Sequence, residues 1–206
     1  MIAGVILAAG ASSRMGSPKA LLDYRGETFV GRLVRVLASV ADPVIVVLGY
    51  NVESIRPAID PRARIVINPA PERGQLSSLQ TALAELPDSA EGFLFVPVDC
   101  PAAEHETVVG VTAAFRGRAS GIHLVVPQYR GKHGHPVCAS RDIAAEILAL
   151  PSTAQARDVI HKHVPDTLYI DVDDPGILTD VDDPERYRRL AGVPSSWRPD
   201  DRTVDE

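Results

Sequence analysis

The run Ile2-Ala3-Gly4-Val5-Ile6-Leu7-Ala8 and the loop leaving it, Ala9-Gly10-Ala11-Ser12-Ser13-Arg14-Met15-Gly16-Ser17-Pro18-Lys19, constrain this chain more than any other stretch. An apolar run rich in Val and Ile, without polar alternation, reads as a strand covered on both faces. The loop then collects small residues, two cations and no carboxylate. Small residues let backbone N–H groups approach a ligand closely, and successive N–H groups form an anion-binding concavity. Arg14 adds a planar fork of donors and Lys19 a point charge, which suits a polyphosphate. The same residues also suit a flexible strand-to-helix turn with two surface cations. Neither common phosphate motif fits, because Lys19 is followed by Ala20 and Gly10 by Ala11-Ser12.

The rest of the chain repeats the strand–helix alternation. Phe29, Val30, Leu33, Val34, Leu37 and Val40 recur at helical spacing with Arg32 and Arg35 outward, and Asp42-Pro43 stops that helix. Val44 to Leu48 is a second buried strand, residues 51 to 59 a short helix with Asn51 as N-cap, and Arg64 to Asn68 a third strand. This order predicts a parallel, layered α/β sheet with right-handed crossovers. Residues 69–75 are too rich in Pro and Gly to be helical. They lead into an amphipathic helix over 76–83, whose first-turn serines either cap it or touch an anion. The apolar strand from Gly92 ends on Asp99, and in open α/β sheets ligands sit beyond the carboxyl ends of strands. Asp99 is therefore placed where Mg²⁺ would hold phosphates, with simple capping of the next turn as the plainer alternative. Beyond it the pattern predicts helices over 103–115, 141–150, 154–163 and 184–190 and strands over 122–127 and 168–172. His133 and His135 lie one residue apart without a third ligand at metal spacing, which disfavours a zinc site. Asp183 followed by Pro184 suits a helix N-cap.

A chain of 206 residues is expected to form one domain, over 1–191, followed by a polar, acidic tail over 192–206 that is expected to be disordered. The formal net charge of −6 argues against a nucleic-acid partner and requires any polyphosphate site to be a local basic pocket helped by a divalent cation. Cys100 and Cys138 are too few for a disulfide framework. No apolar run reaches the roughly 20 residues that cross a bilayer, so no membrane is expected and a cytoplasmic location is.

The stretch Leu7-Ala8-Ala9-Gly10-x-Ser12-x-Arg14-Met15-Gly16-x-x-Lys19-x-Leu21-Leu22 resembles the signature loop of the MobA/MocA-like nucleotidyltransferases, the molybdenum-cofactor cytidylyl- and guanylyltransferases. The resemblance extends from Ile2 to about Leu190. It implies a single-domain three-layer α/β/α, Rossmann-like fold of the nucleotide-diphospho-sugar transferase (GT-A-like) kind, with a mostly parallel mixed sheet. It implies a Mg²⁺-dependent enzyme that moves an NMP from an NTP to a phosphorylated acceptor and releases pyrophosphate. Residue by residue, it implies nucleotide contacts from Leu7, Ala8, Ala9, Gly10, Arg14, Lys19, Asn68, Gly74, Ser77 and Ser78. Arg14, Lys19 and Asp99 would be catalytic, and Asp99 and Asp180 metal ligands with Asp182 as the second choice. Residues 127–137 are similar to the family's acceptor-side hairpin, so Lys132, His133 and His135 would face the acceptor, or else only decorate an exposed hairpin.

Ala9 is similar to the CTP-using branch, whose Leu-Ala-Ala-Gly contrasts with the Leu-Ala-Gly-Gly of GTP users. CTP as donor and molybdopterin as acceptor are thereby implied, with a molybdenum enzyme or its chaperone as a possible partner. Cys100 and residues 152–155 depart from the family pattern where acceptor choice should reside, so a sugar phosphate or another phosphorylated metabolite stays open. So does a non-catalytic nucleotide-binding partner of a molybdenum enzyme. An NAD-dependent oxidoreductase would need an acidic residue closing the second strand, which instead ends Leu48-Gly49.

Overall fold

The computed structural model describes residues 1–194 and 196–198. In chain order it contains β1 (Ile2–Ala8), a small hairpin of β2 (Asp23–Tyr24) and β3 (Glu27–Thr28), α1 (Phe29–Ala38), β4 (Val44–Leu48), α2 (Val52–Ile55), β5 (Arg64–Ile67), α3 (Gln75–Leu83) and β6 (Gly92–Pro97). There follow α4 (His105–Arg116), β7 (Leu124–Tyr129), β8 (Lys132–His133), β9 (Val137–Ser140), α5 (Arg141–Leu148), α6 (Ala156–Lys162), β10 (Thr167–Asp171) and α7 (Pro184–Ala191).

The main sheet runs β10-β7-β9-β6-β1-β4-β5, with β8 paired to β7. Pairs β1–β4, β1–β6, β4–β5 and β7–β10 are parallel, while β9 is antiparallel to both neighbours. The sheet is therefore mostly parallel and mixed, as expected. β1 lies inside it, and every one of its seven residues is buried. Alternate residues feed the two faces: Ile2, Ile6 and Ala8 pack with α1 and α4, and Val5, Leu7 and Ala9 with α3 and α5. Helices thus cover both faces, which is why these strands read as continuous apolar runs. Phe29, Phe93 and Phe115 are completely buried, each contributing about 1.5–3 kcal/mol of hydrophobic stabilisation.

Several local expectations are corrected. Arg32 does not face outward; it is 7% exposed and its guanidinium donates to Pro101 O and Ala103 O. Asn51 makes no side-chain cap and adopts φ +56°, a left-handed conformation that Asn tolerates. Residues Pro71–Arg73 form one 3₁₀ turn despite their Pro and Gly neighbours. The strand expected from 122 begins at Leu124, and α6 begins later than expected, where Gln155 and Asp158 form a capping box. Asp183 does cap α7, accepting from Arg186 N at 2.9 Å. Of the expected tail, Trp197 packs on Tyr187 with ring centroids 4.4 Å apart, whereas residues 195 and 199–206 lie outside the described residues. No described helix is long and apolar enough to cross a membrane.

Candidate active site

The carboxyl ends of β1, β4, β6, β7 and β10 open on one edge of the sheet, and antiparallel β9 begins there. The signature loop, the turn after Asp99, the hairpin around His133 and the segment from 172 to 183 therefore gather at that edge. The loop is held from below by Met15, which is 1% exposed, and from within by Ser12, whose Oγ accepts from Lys19 N at 3.0 Å. That bond aims the Lys19 side chain inward. Its ammonium donates to Asp99 Oδ2 at 3.0 Å and Asp182 Oδ1 at 2.9 Å.

Oxygens of Asp99, Asp180 and Asp182 lie within 4.8 Å of one another. The Asp180–Asp182 strip is registered to Asp99 by Val181 N, which donates to Asp99 O at 2.9 Å. Arg186, in the first turn of α7, sits 3.3 Å from Asp180 Oδ2 and 3.6 Å from Asp182 Oδ2. Burial works against the Lys19 charge, but attraction from Asp99 and Asp182 outweighs it and raises its pKa, so it stays an ammonium. Burial, then repulsion from Asp99 and Asp182, raises the Asp180 carboxyl. The Lys19 hydrogen bond lowers Asp182. Crowded carboxylates with hard oxygen donors and one destabilised charge form a set that fits a divalent cation such as Mg²⁺ or Mn²⁺.

Two cavities meet at these carboxylates. The first, of about 350 Å³, is lined by Leu7, Ala8, Ala9, Gly10, Arg14 and Lys19 of the loop, Gly74 and Ser78 opposite, and Asp99 and Asp182 at its floor. Among the described residues no carboxylate pairs with Arg14, which is exposed and open to an anion. Asn68 and Ser77 do not line this cavity. They lie behind it, where Asn68 Nδ2 donates to Ser77 Oγ and Ser78 Oγ at 2.9 and 3.0 Å and so orients Ser78, which does line it. The second cavity, of about 340 Å³, is lined by His133, His135, Cys100 and Asp180, with Gln75 shared between the two. Lys132 lines neither; it is exposed on β8.

His133 stacks on Tyr169, with ring centroids 4.3 Å apart, and so presents an edge. His135 packs edge-on against Phe95, and its enclosed Nδ1 has no hydrogen-bond partner among the described residues. Burial lowers its pKa, leaving a neutral imidazole. Burial and then the neighbouring Asp99 push the Cys100 thiol up, so it is no nucleophile at neutral pH. Sequence reasoning held Ser12 as a fixed position of the signature loop without foreseeing its bond to Lys19 N, and it missed Gln75 and Arg186 as parts of this edge. Of those two, Arg186 carried a signal, a cation placed just after the Asp180-to-Asp183 acidic run.

The crystal structure of Rv0371c from Mycobacterium tuberculosis H37Rv is similar over 93% of this chain and 97% of that one, at 31% identity and a TM-score of 0.79. A structure of the same protein in complex with manganese is similar at 28% identity, over 93% of this chain and 98% of that one, with a TM-score of 0.74. A probable molybdenum cofactor guanylyltransferase of Bacillus cereus (strain ZK / E33L) is 30% identical over 111 residues, 50% of this chain and 52% of that relative. The chain thus spans about half the length of these curated relatives. The model of the MobA-like NTP transferase domain matches residues 4–167, from the first strand through the loop, Asp99 and the hairpin, and the chain belongs to that family.

Proposed function

We propose that this protein is a nucleotidyltransferase that moves a nucleoside monophosphate from an NTP to a phosphorylated acceptor, with molybdopterin as that acceptor, and releases pyrophosphate. The observation that carries this reading is the meeting of Lys19 with Asp99 and Asp182 where two cavities join. One cavity offers a cationic loop to a triphosphate, and the other offers room for an acceptor directly beside it.

In this reading the backbone of Ala8 to Gly10 presents its polar groups to base and ribose. Arg14 neutralises the triphosphate, and Lys19 follows the charge that builds on the departing pyrophosphate. Asp99, Asp180 and Asp182 would hold a divalent cation, Mg²⁺ or Mn²⁺, which would supply charge neutralisation and polarisation at the phosphates. The acceptor is an ionised phosphate and needs no base, so positioning and charge stabilisation supply most of the rate. Ala9 favours CTP as donor. The curated relatives, named guanylyltransferases, favour GTP as the second reading.

Pyrophosphate release, measured with each NTP and Mg²⁺ or Mn²⁺ over a panel holding molybdopterin, sugar phosphates and other phosphorylated metabolites, tests this. Turnover with CTP and molybdopterin is expected. Turnover with a sugar phosphate alone moves the acceptor assignment. Nucleotide binding without pyrophosphate from any pair makes the protein a nucleotide-dependent partner of a molybdenum enzyme or its chaperone.

A further inference from the structure

The segment that brings Asp180 and Asp182 to the site begins with Asp173-Asp174-Pro175-Gly176, a motif with no part in the chemistry above. Asp174 is 5% exposed, and among the described residues no Lys, Arg or His nitrogen lies within ion-pair distance of it. A buried carboxylate without a counter-ion is costly unless hydrogen bonds replace its water. Here three donors do so. Oδ1 accepts from Gly176 N at 2.8 Å. Oδ2 accepts from Glu104 N at 2.8 Å and Thr107 Oγ1 at 2.7 Å.

Those donors belong to two different segments. Glu104 ends the turn that Asp99 begins, and Thr107 lies in the first turn of α4. Gly176 belongs to the strip that runs on to Asp180. The two segments touch again further along, where Val181 N donates to Asp99 O at 2.9 Å. Between these contacts they run backbone to backbone, because any Cβ on Gly176 would overlap the Ala102 carbonyl. On the far side His135 N donates to Ile177 O at 3.0 Å. Arg32 braces the Asp99 turn from beneath through Pro101 O and Ala103 O. Among the described residues, Asp174 is thus the one side chain that bonds both segments at the end remote from the carboxylates.

We propose that Asp174 is a positioning residue for the metal centre: by bonding Glu104 and Thr107 with one oxygen and Gly176 with the other, it sets the separation between Asp99 and the Asp180–Asp182 pair. This inference rests on the nucleotidyltransferase reading and names what tunes its site. Metal–oxygen distances tolerate only about ±0.2 Å, so a small drift between the two segments is read directly as lost affinity. Only a carboxylate serves all three donors, since the amide of Asn turns one acceptor oxygen into an NH₂ facing donors.

The test is Mn²⁺ binding to the full chain without nucleotide, followed by electron paramagnetic resonance, alongside steady-state kinetics for Asp174→Asn and Thr107→Val. Asp174→Asn is expected to keep a wild-type circular dichroism spectrum, lose about tenfold or more in Mn²⁺ affinity and a similar factor in kcat at fixed Mn²⁺, and leave KM for the NTP nearly unchanged. Added Mn²⁺ is expected to restore part of its kcat, which a general loss of fold would not allow. Thr107→Val keeps the carboxylate and removes one donor, and is expected to move Mn²⁺ affinity the same way by about threefold. A folded Asp174→Asn with Mn²⁺ affinity and kcat within about twofold of wild type overturns the proposal. Should Asp174→Asn not fold, unchanged Mn²⁺ affinity in Thr107→Val overturns it instead. Wild-type protein that takes up no Mn²⁺ overturns the metal centre itself, whereas wild-type binding and turnover with insensitive variants overturn only the role of Asp174.

Discussion

The Lys19 ammonium lies 2.9 Å from Asp182 Oδ1 although 163 positions separate the two residues. The contact ties the first loop of the chain to its last acidic motif and places a cation among the carboxylates that would hold a metal. Lys19 thus has two sets of anionic partners, the carboxylates it touches and the triphosphate of the proposed reaction.

Lys19→Ala and Asp99→Ala are each expected to lower kcat/KM by about 10²–10³-fold with an unchanged circular dichroism spectrum. The two should part company in Mn²⁺ titrations without nucleotide. Lys19→Ala removes a cation that competes for Asp99 and Asp182 and should bind Mn²⁺ at least as tightly as wild type. Asp99→Ala removes a ligand and should bind it far more weakly. Full activity in both variants would refute the assigned roles.

Asp180 carries a stability cost that follows from its raised pKa. A carboxyl whose folded pKa exceeds its unfolded one binds its proton more tightly in the fold, so its favourable contribution holds below the unfolded value and vanishes as pH rises through the folded value. At pH 7 the ionised group is crowded by Asp99 and Asp182. Asp180→Asn is therefore expected to raise Tm at pH 7 in EDTA, to lose that advantage near pH 3, and to weaken Mn²⁺ binding. Melts that show no gain at pH 7 would contradict this.

Gly134 lets the His133 hairpin lie against the segment carrying Asp180, since a Cβ there would overlap the Ile177 carbonyl. Backbone cannot retreat as a flexible side chain can. Gly134→Ala should cost about 1–3 kcal/mol and lower Tm by about 5 °C. Differential scanning calorimetry checks the first effect, and a fall in activity larger than the loss of folded protein checks the displacement of His135.

Arg32→Met keeps much of the buried aliphatic volume but strips the donors from Pro101 O and Ala103 O, at 2.9 and 3.3 Å. Leaving buried carbonyls unpaired should cost about 1–3 kcal/mol, visible as a lower denaturant midpoint. Because those carbonyls flank the turn after Asp99, turnover is expected to fall with it. A variant as stable as wild type would mean that water satisfies both groups.

The parallel sheet with helices on both faces was legible in the sequence because continuous Val- and Ile-rich runs require cover on both sides, and Ile2 to Ala8 is such a run. Asp99 and the loop cations stood out in the sequence for a related reason, since Asp99 lies two residues past the end of β6 and Arg14 and Lys19 lie in the loop that leaves β1, where an open sheet leaves room for ligands. Local patterning misplaced Arg32, because helical spacing reports which face a residue takes but not whether another turn will fold over that face. The partnership of Lys19 with Asp182, the retreat of Asn68 and Ser77 behind Ser78, and the clasp at Asp174 belong to no local pattern. Only the folded backbone, which lays the Asp180 segment beside the Asp99 turn and the start of α3 beside the end of β5, brings those donors and acceptors within hydrogen-bonding distance.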